Sequence, residues 1–143
     1  VEAGRCPRSC RVGAVSCIGN WWRRCRVDGE TLDMRALSIR QPHAEAIMRG
    51  VKTTEYRNAP TRIRGRIYIY AALGRYSAAK EAEMMTQYGI SDVSCDNLPR
   101  GVIVGTVELY DCDDGEWYVR SPARAKTLRK PKNHPQPIWF NPF

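Results

Sequence analysis

The chain has 143 residues, of which 43% are hydrophobic and 27% are charged, and such a length and composition suit one soluble globular domain. No apolar run approaches the roughly 18 residues of a membrane-spanning helix, and no shorter apolar core near the start indicates a signal peptide, so we expect a cytoplasmic protein without a membrane partner. The formal net charge is +8 at pH 7, and residues 117–143 hold six basic side chains and no acidic one. This asymmetry is typical of contact with a polyanion, although a solvated basic tail would have the same composition.

Residues 1–33 differ from the remainder because they contain six Arg, no Lys and four of the six Cys. The spacing of these cysteines matches no zinc pattern built from C-x2-C pairs, so we predict no metal site and no cofactor. We interpret 1–33 as a disordered or non-native extension from an over-extended reading frame, with Met34 as the natural start. The alternative is a basic arm in which Trp21 and Trp22 stack on nucleic acid.

From Met34 onward the pattern is that of a packed domain with alternating strand and helix signals. The predicted elements in chain order are a strand over 35–39, a short helix that begins at Pro42 and ends at Gly50, strands over 53–57 and 66–72, a helix from the N-cap Ser77 to Gly89, a strand over 102–111 with Ile103, Val107 and Leu109 facing the core, a mainly irregular segment over 121–137, and a last strand over 138–140. Strands predominate without a strand–helix–strand rhythm. The predicted fold class is therefore α+β, a small mixed β-barrel with two inserted helices.

The densest chemistry lies between Arg40 and Arg57. Glu55 and Arg57 point the same way if this stretch is a strand, because side chains repeat every second residue. A Glu between Lys52 and Arg57 should remain ionised, and a Lys that is partly desolvated beside a second cation would lose its proton more easily. The alternative is a surface salt-bridge cluster of little energetic value.

The run Gly50-x-Lys52-x-x-Glu55-x-Arg57, preceded by Ser38-Ile-x-Gln41-Pro42, resembles the signature of the ASCH domain family. Later blocks agree with the family in order, and the resemblance spans 34–140 and leaves 1–33 unmatched. These blocks are Arg64-Gly-Arg-Ile-Tyr-Ile, Leu98-Pro-Arg-Gly-Val-Ile-Val-Gly105, Val107-Glu-Leu-Tyr-Asp-Cys112 and Ile138-Trp139.

The resemblance implies a PUA-like β-barrel over 34–143, with a basic, proline-containing tail segment at 120–137 and a cleft for RNA or a nucleotide. Family members include RNA-binding coactivator modules, an amidohydrolase that acts on N4-acetylcytidine and a reported ribonuclease. Carried over residue by residue, the resemblance implies Lys52 and Glu55 as catalytic residues if the chain is an enzyme. It implies contacts to RNA or nucleotide from Arg40, Gln41, His43, Lys52, Arg57 and Tyr70.

Three positions depart from the family pattern. Glu55 stands where the amidohydrolase branch has Thr, His43 where many relatives have Trp, and Tyr70 where many have His. The amidohydrolase mechanism therefore does not transfer intact, and for its second catalytic Glu only Glu108 and Glu116 are candidates.

The first functional hypothesis is a module that binds RNA or a modified nucleoside, with the basic tail adding affinity. The alternatives are a hydrolase that uses Lys52 and Glu55, with His43 or Glu55 as the base in a ribonuclease version, and a protein-interaction domain. Trp117 and Tyr118, beside the basic run 120–132, either stack on bases or belong to the core.

Overall fold

The computed structural model describes residues 34–143, and the expectations about 1–33, including its four cysteines and its Trp pair, lie outside the described residues. Within 34–143 the elements are β1 (Ala36–Arg40), α1 (His43–Met48), β2 (Thr54–Tyr56), β3 (Gly65–Ala72), α2 (Ala78–Gln87), a 3-10 turn (Cys95–Asn97), β4 (Val102–Asp113), β5 (Glu116–Arg129) and β6 (Trp139–Phe140). Neither helix of this part of the chain is long and apolar enough to cross a membrane.

The ends of both helices follow from local chemistry. The Ser77 hydroxyl accepts a hydrogen bond from the Lys80 amide and caps α2, as predicted. Gly89 follows α2 with φ +68°, a conformation that glycine adopts without strain. Pro42 occupies the N-cap position of α1 rather than the first helical position, and its side chain cannot cap the helix. The Gln41 side chain takes this role, because it accepts a hydrogen bond from the Glu45 amide at 3.0 Å.

Six strands of the described chain form one mixed sheet in the order β2-β5-β4-β3-β1-β6, in which only β1 and β3 are parallel. Trp117 of β5 stacks on Trp139 of β6 with ring centroids 5.6 Å apart and planes at 12°. These two strands are four places apart in the sheet, so the stacking requires the sheet to curl back on itself. The α+β class with two helices is confirmed, and the barrel is a partial one.

One apolar cluster, here called the inner cluster, fills the concave side of the sheet and takes in the apolar face of α1. It comprises Leu37, Ile39, Ala44, Ile47, Met48, Ile67, Ile69, Ala71, Val104, Val107, Leu109, Trp117 and Val119. The predicted core residues Val107 and Leu109 belong to it. Ile103 is also buried, but it packs on the other side of the sheet with Tyr70 and Phe140, because the register of β4 against β3 shifts between Ile103 and Gly105.

The expectation that 121–137 is mainly irregular is wrong for its first half, where β5 continues to Arg129. Thr106 pairs with Ala123 and Glu108 with Arg120, so that Ser121 and Pro122 together oppose one residue of β4. Ser121 has φ +52°, and this bulge accommodates a proline that cannot donate a hydrogen bond to the ladder. Residues 130–137 form neither helix nor strand, as predicted, and the last strand begins at Trp139, one residue later than predicted.

Candidate functional site

A cavity of about 560 Å³ opens where the curled sheet fails to close. β6 pairs with β1 only at Ala36 and Leu37. Along this edge of β1, residues 38–40 therefore have no partner strand among the described strands. The gap between this edge and β2 is here called the seam. The cavity at the seam is lined by the end of β1, the start of α1, residues 55–57, the end of β3 with the loop after it, and the loop 134–137.

Glu55 is the buried acid of the cavity, with only 8% of its surface exposed. It pairs across the strands with Trp117, whose indole lies in the inner cluster, so both side chains point into the barrel. Its Oε1 lies 3.2 Å from Arg57 Nε, and its Oε2 lies 3.5 Å from Lys52 Nζ. Glu55 Oε2 and Arg57 Nε are closed off from solvent and lack a well-aligned hydrogen bond, so ion pairing holds these three side chains together.

Arg57 joins the two sides of the seam. Its Nη2 donates a hydrogen bond to the Ser38 carbonyl of β1 at 2.8 Å, and its guanidinium lies 5.7 Å from the Trp117 ring centroid. Its backbone amide bonds to the Gly115 carbonyl at 2.7 Å. The side chain is therefore held by Ser38, Trp117 and Glu55, and the backbone hydrogen bond fixes the position of the residue.

Lys52 lies behind Glu55 rather than on the cavity wall. Its side chain is 10% exposed, and its Nζ sits 5.2 Å from the centroid of the Tyr56 ring. A ligand in the cavity would therefore be influenced by Lys52 through Glu55 and not by direct contact.

His43 begins α1 on the cavity wall and contacts two tyrosines. Its Nδ1 lies 2.5 Å from the Tyr88 hydroxyl, and its ring meets Tyr76 and Tyr88 edge-on. Burial first, and then the positive charges of Lys52 and Arg57, lower the pKa of His43 from 6.5 to about 4.

Burial first, and then the nearby charge of Glu55, raise the pKa of Tyr88 to about 12. Both rings are therefore neutral at pH 7, and the hydrogen bond between them is donated by the Tyr88 hydroxyl or by Nδ1–H according to the tautomer of His43.

Aromatic rings and one further arginine complete the cavity wall. The Arg40 guanidinium lies 5.3 Å from the Tyr76 ring centroid. Tyr70 lines the cavity and packs edge-on against Phe140, and burial raises the pKa of its phenol. Tyr76 and Tyr88 were missed from the sequence, because they reach His43 from the α2 region, more than 30 residues along the chain.

The sequence pattern of the ASCH domain matches residues 37–136, well over half of the chain. The chain belongs to the ASCH domain family. Over 80 residues it is 36% identical to Activating signal cointegrator 1 of Homo sapiens and 38% identical to that of Mus musculus. Each match covers 53% of this chain and 14% of the relative, so the chain spans a small part of these relatives' length.

The cleft of this ASCH domain includes Arg40, His43, Glu55, Arg57 and Tyr70 of the predicted site residues. Gln41 lies away from it. Gln41 is fully buried, and its Nε2 donates to the Pro99 carbonyl at 2.9 Å while its oxygen holds the first turn of α1. Its amide is thus used by the fold itself.

The two glutamates considered as a second catalytic acid also lie outside the cleft. Glu108 bonds with Arg120 across the sheet, and Glu116 accepts a hydrogen bond from the Tyr118 hydroxyl at 2.7 Å. Trp117 is a core residue whose indole N–H donates to the Ala59 carbonyl at 2.9 Å. Within 34–143 no three His, Cys, Asp or Glu residues lie close enough to hold a metal ion.

Proposed function

We propose that this chain is an RNA-binding ASCH domain of the PUA-like type, whose cleft receives the base of one nucleotide. The observation that carries the proposal is the Glu55 carboxylate, which lies on the cavity wall, is only 8% exposed and is held between Lys52 and Arg57. A carboxylate has about four lone-pair sites, and hydrogen bonds to an ionised acceptor are the stronger ones, so a ligand that donates a hydrogen bond to Glu55 would be favoured. The amino and ring N–H groups of nucleobases are donors of this kind, and carboxylates accept from them.

The surrounding groups suit the rest of a base edge. Arg57 brings a guanidinium group to the cavity wall, and the neutral ring of His43 has one nitrogen that donates and one that accepts. A base edge that carries an amino group beside a carbonyl or ring nitrogen would pair with this mixture of acceptor and donors. Tyr70 and the Arg40–Tyr76 pair add aromatic surface and positive charge at the wall, which suits stacking and phosphate contact.

A hydrolase that acts on a modified nucleoside such as N4-acetylcytidine, or on RNA, is the second candidate. The contact of Lys52 with Glu55 at 3.5 Å supports it, since the pair could relay a proton to or from a bound water. Two observations weigh against it. Lys52 does not line the cavity, and a His43 pKa of about 4 is far below the value that suits a general base at neutral pH.

The test compares the full chain with Glu55→Gln and with the control Glu83→Gln, which removes an exposed carboxylate of α2. Binding of a labelled single-stranded RNA is followed on native gels, and each sample is also run on denaturing gels. We expect Glu55→Gln to weaken binding by roughly tenfold, the effect of one lost hydrogen bond to a charged group, and Glu83→Gln to leave it unchanged.

Equal affinity of the wild type and Glu55→Gln would refute base recognition by this carboxylate. Cleaved RNA, or released acetate from N4-acetylcytidine, that Lys52→Ala abolishes would establish the hydrolase instead.

A further inference from the structure

The convex side of the sheet carries a second group of polar and aromatic side chains. Arg66 of β3 and Arg120 of β5 both pair with Glu108 of β4, so the three side chains form a row across the sheet. Tyr68 and Tyr110 extend the same side, since each lies two residues from a member of the row. These five residues are here called the outer face. Both helices contribute instead to the inner cluster or to the small cluster around α2.

Arginine and aromatic side chains stack on each other at this face. The Arg120 guanidinium lies 4.3 Å from the Tyr110 ring centroid and bonds to Glu108 with its Nε and Nη2 at 3.0 and 3.2 Å. Tyr110 is 42% exposed, and the neighbouring Tyr118 ring lies 6.3 Å away. Arg66 donates to the Ser121 carbonyl at 2.6 Å and is exposed. The rings and cations are thus fixed in position and yet open to solvent.

The outer face is continuous with the cleft along β3. Tyr70 lines the cleft, and Tyr68, Tyr70 and Phe140 share one apolar cluster on this side of the sheet. Tyr68 also meets Phe143 edge-on, and the Arg129 guanidinium lies 4.2 Å from the Phe143 ring centroid. From Tyr70 to Arg66 is about 13 Å along the strand at about 3.3 Å per residue. Aromatic rings therefore extend from the cleft along β3, and the guanidinium groups of Arg129 and Arg66 lie at the end of this path near the row.

The charge of this path is positive. Arg66, Arg120 and Arg129 outnumber the carboxylate of Glu108 in the row, and no acidic residue occurs between 117 and 143. Asp111, Asp113 and Glu116 lie near Tyr118, at the end of the face away from Tyr68. Exposed aromatic rings beside cations suit unpaired bases and the phosphates that join them, because rings stack on bases while cations replace the counterions of the backbone. Tyr and Arg are also enriched at protein interfaces, but Arg66, Arg120 and Arg129 outnumber the carboxylate of Glu108, and this excess of positive charge favours a polyanion.

We propose that a single strand of RNA, leaving the cleft, runs along β3 and stacks on the outer face. This rests on the proposed function, since it takes one nucleotide of the strand to be held in the cleft. The partner is then a polymer and not a free nucleoside. Tyr110 supplies a stacking surface, and Arg66, Arg120 and Arg129 contact phosphates.

The experiment uses the full chain and two probes, a single-stranded RNA of about 12 nucleotides, which is within the range that such surfaces cover, and cytidine 5′-monophosphate. Tyr110→Leu should weaken binding of the RNA by roughly fivefold or more, the loss of one base–ring stack, and leave the mononucleotide affinity unchanged. Arg129→Gln should lower the slope of log K against log salt by about 0.7, one phosphate contact to a single strand. The control is Arg62→Gln, an exposed arginine of the connection between β2 and β3.

Glu108→Gln provides a test in the opposite direction. Because Glu108 holds Arg120 by two hydrogen bonds and cancels its charge, we expect the amide variant to bind the RNA more tightly than the wild type. All of these side chains are at least partly exposed, and thermal unfolding of each variant checks that the fold is retained.

Three results would overturn the proposal. In the first, Tyr110→Leu binds the RNA as well as the wild type while Glu55→Gln does not, which leaves the cleft function intact. In the second, heparin, a polyanion without bases, displaces the labelled RNA as well as unlabelled RNA does, and Tyr110→Leu does not change its affinity. The face would then be a general surface for anions. In the third, neither probe binds the wild type, which removes the proposed function as well.

Discussion

His43 should make the stability of this domain depend on pH in a way that one substitution removes. The pKa of its ring is lowered from 6.5 to about 4, chiefly by burial. Between these two values the unfolded chain binds a proton that the folded chain does not, so unfolding becomes easier as the pH falls. The contribution of His43 to stability is therefore complete above about pH 6.5 and is lost progressively toward pH 4.

The size of the effect follows from the two pKa values. At about pH 5 the unfolded state gains about 2 kcal/mol from protonation of this ring, and at pH 7 it gains close to nothing. Acidic groups whose pKa is lowered in the fold, such as Glu45, also lose stability on acidification, but they do so in every variant. The comparison of wild type with His43→Gln, which cannot titrate, isolates the contribution of the ring.

The assay is urea unfolding of both proteins at pH 7 and at about pH 5, together with an NMR titration of the His43 ring. The wild type should lose about 2 kcal/mol more than His43→Gln between these two pH values. A His43 ring that titrates near 6.5, or equal losses in the two proteins, would refute the reasoning that burial beside Lys52 and Arg57 keeps the ring neutral.

Two further substitutions test contacts that support the cleft. Arg124→Gln should lower the free energy of unfolding by about 1–2 kcal/mol in urea unfolding, because Arg124 donates two hydrogen bonds to the buried Glu45 carboxylate; an unchanged midpoint would contradict this. Gly115→Ala should destabilise the fold and weaken RNA binding, since the added methyl group would collide with the backbone carbonyl of Arg57. Gly74→Ala is its control for stability alone, because there the methyl group meets only the flexible end of the Arg40 side chain, and equal losses of stability in the two variants would exclude the collision as the cause.

The sequence predicted those parts of the fold that are encoded locally. Ser77 and Gly89 bound a helix because a hydroxyl cap and a left-handed glycine act within one turn. The spacing of Lys52, Glu55 and Arg57 brought three polar groups together because they lie on or beside one short strand.

Features that depend on pairing across the sheet could not be predicted in the same way. Residues 121–129 contain a proline and look irregular, yet they pair with β4 because a bulge absorbs Ser121 and Pro122. The alternation of side chains along β4 predicts that Ile103 faces the same side as Val107 and Leu109. A register shift instead turns it to the opposite side of the sheet. Tyr88 reaches His43 only because α2 folds back beside α1, and the spacing of residues along the chain gives no sign of this contact.

The pairing of β1 with β6 has a consequence for how this domain is carried within longer chains. Ala36 of the first strand lies directly opposite Phe140 of the last strand in an antiparallel pair, so their Cα atoms are about 5 Å apart. A domain whose entry and exit points are neighbours can be inserted into a loop of a host protein without separating the ends of that loop. The same geometry would let a short linker join the two ends, so that new termini could be opened in an exposed loop elsewhere.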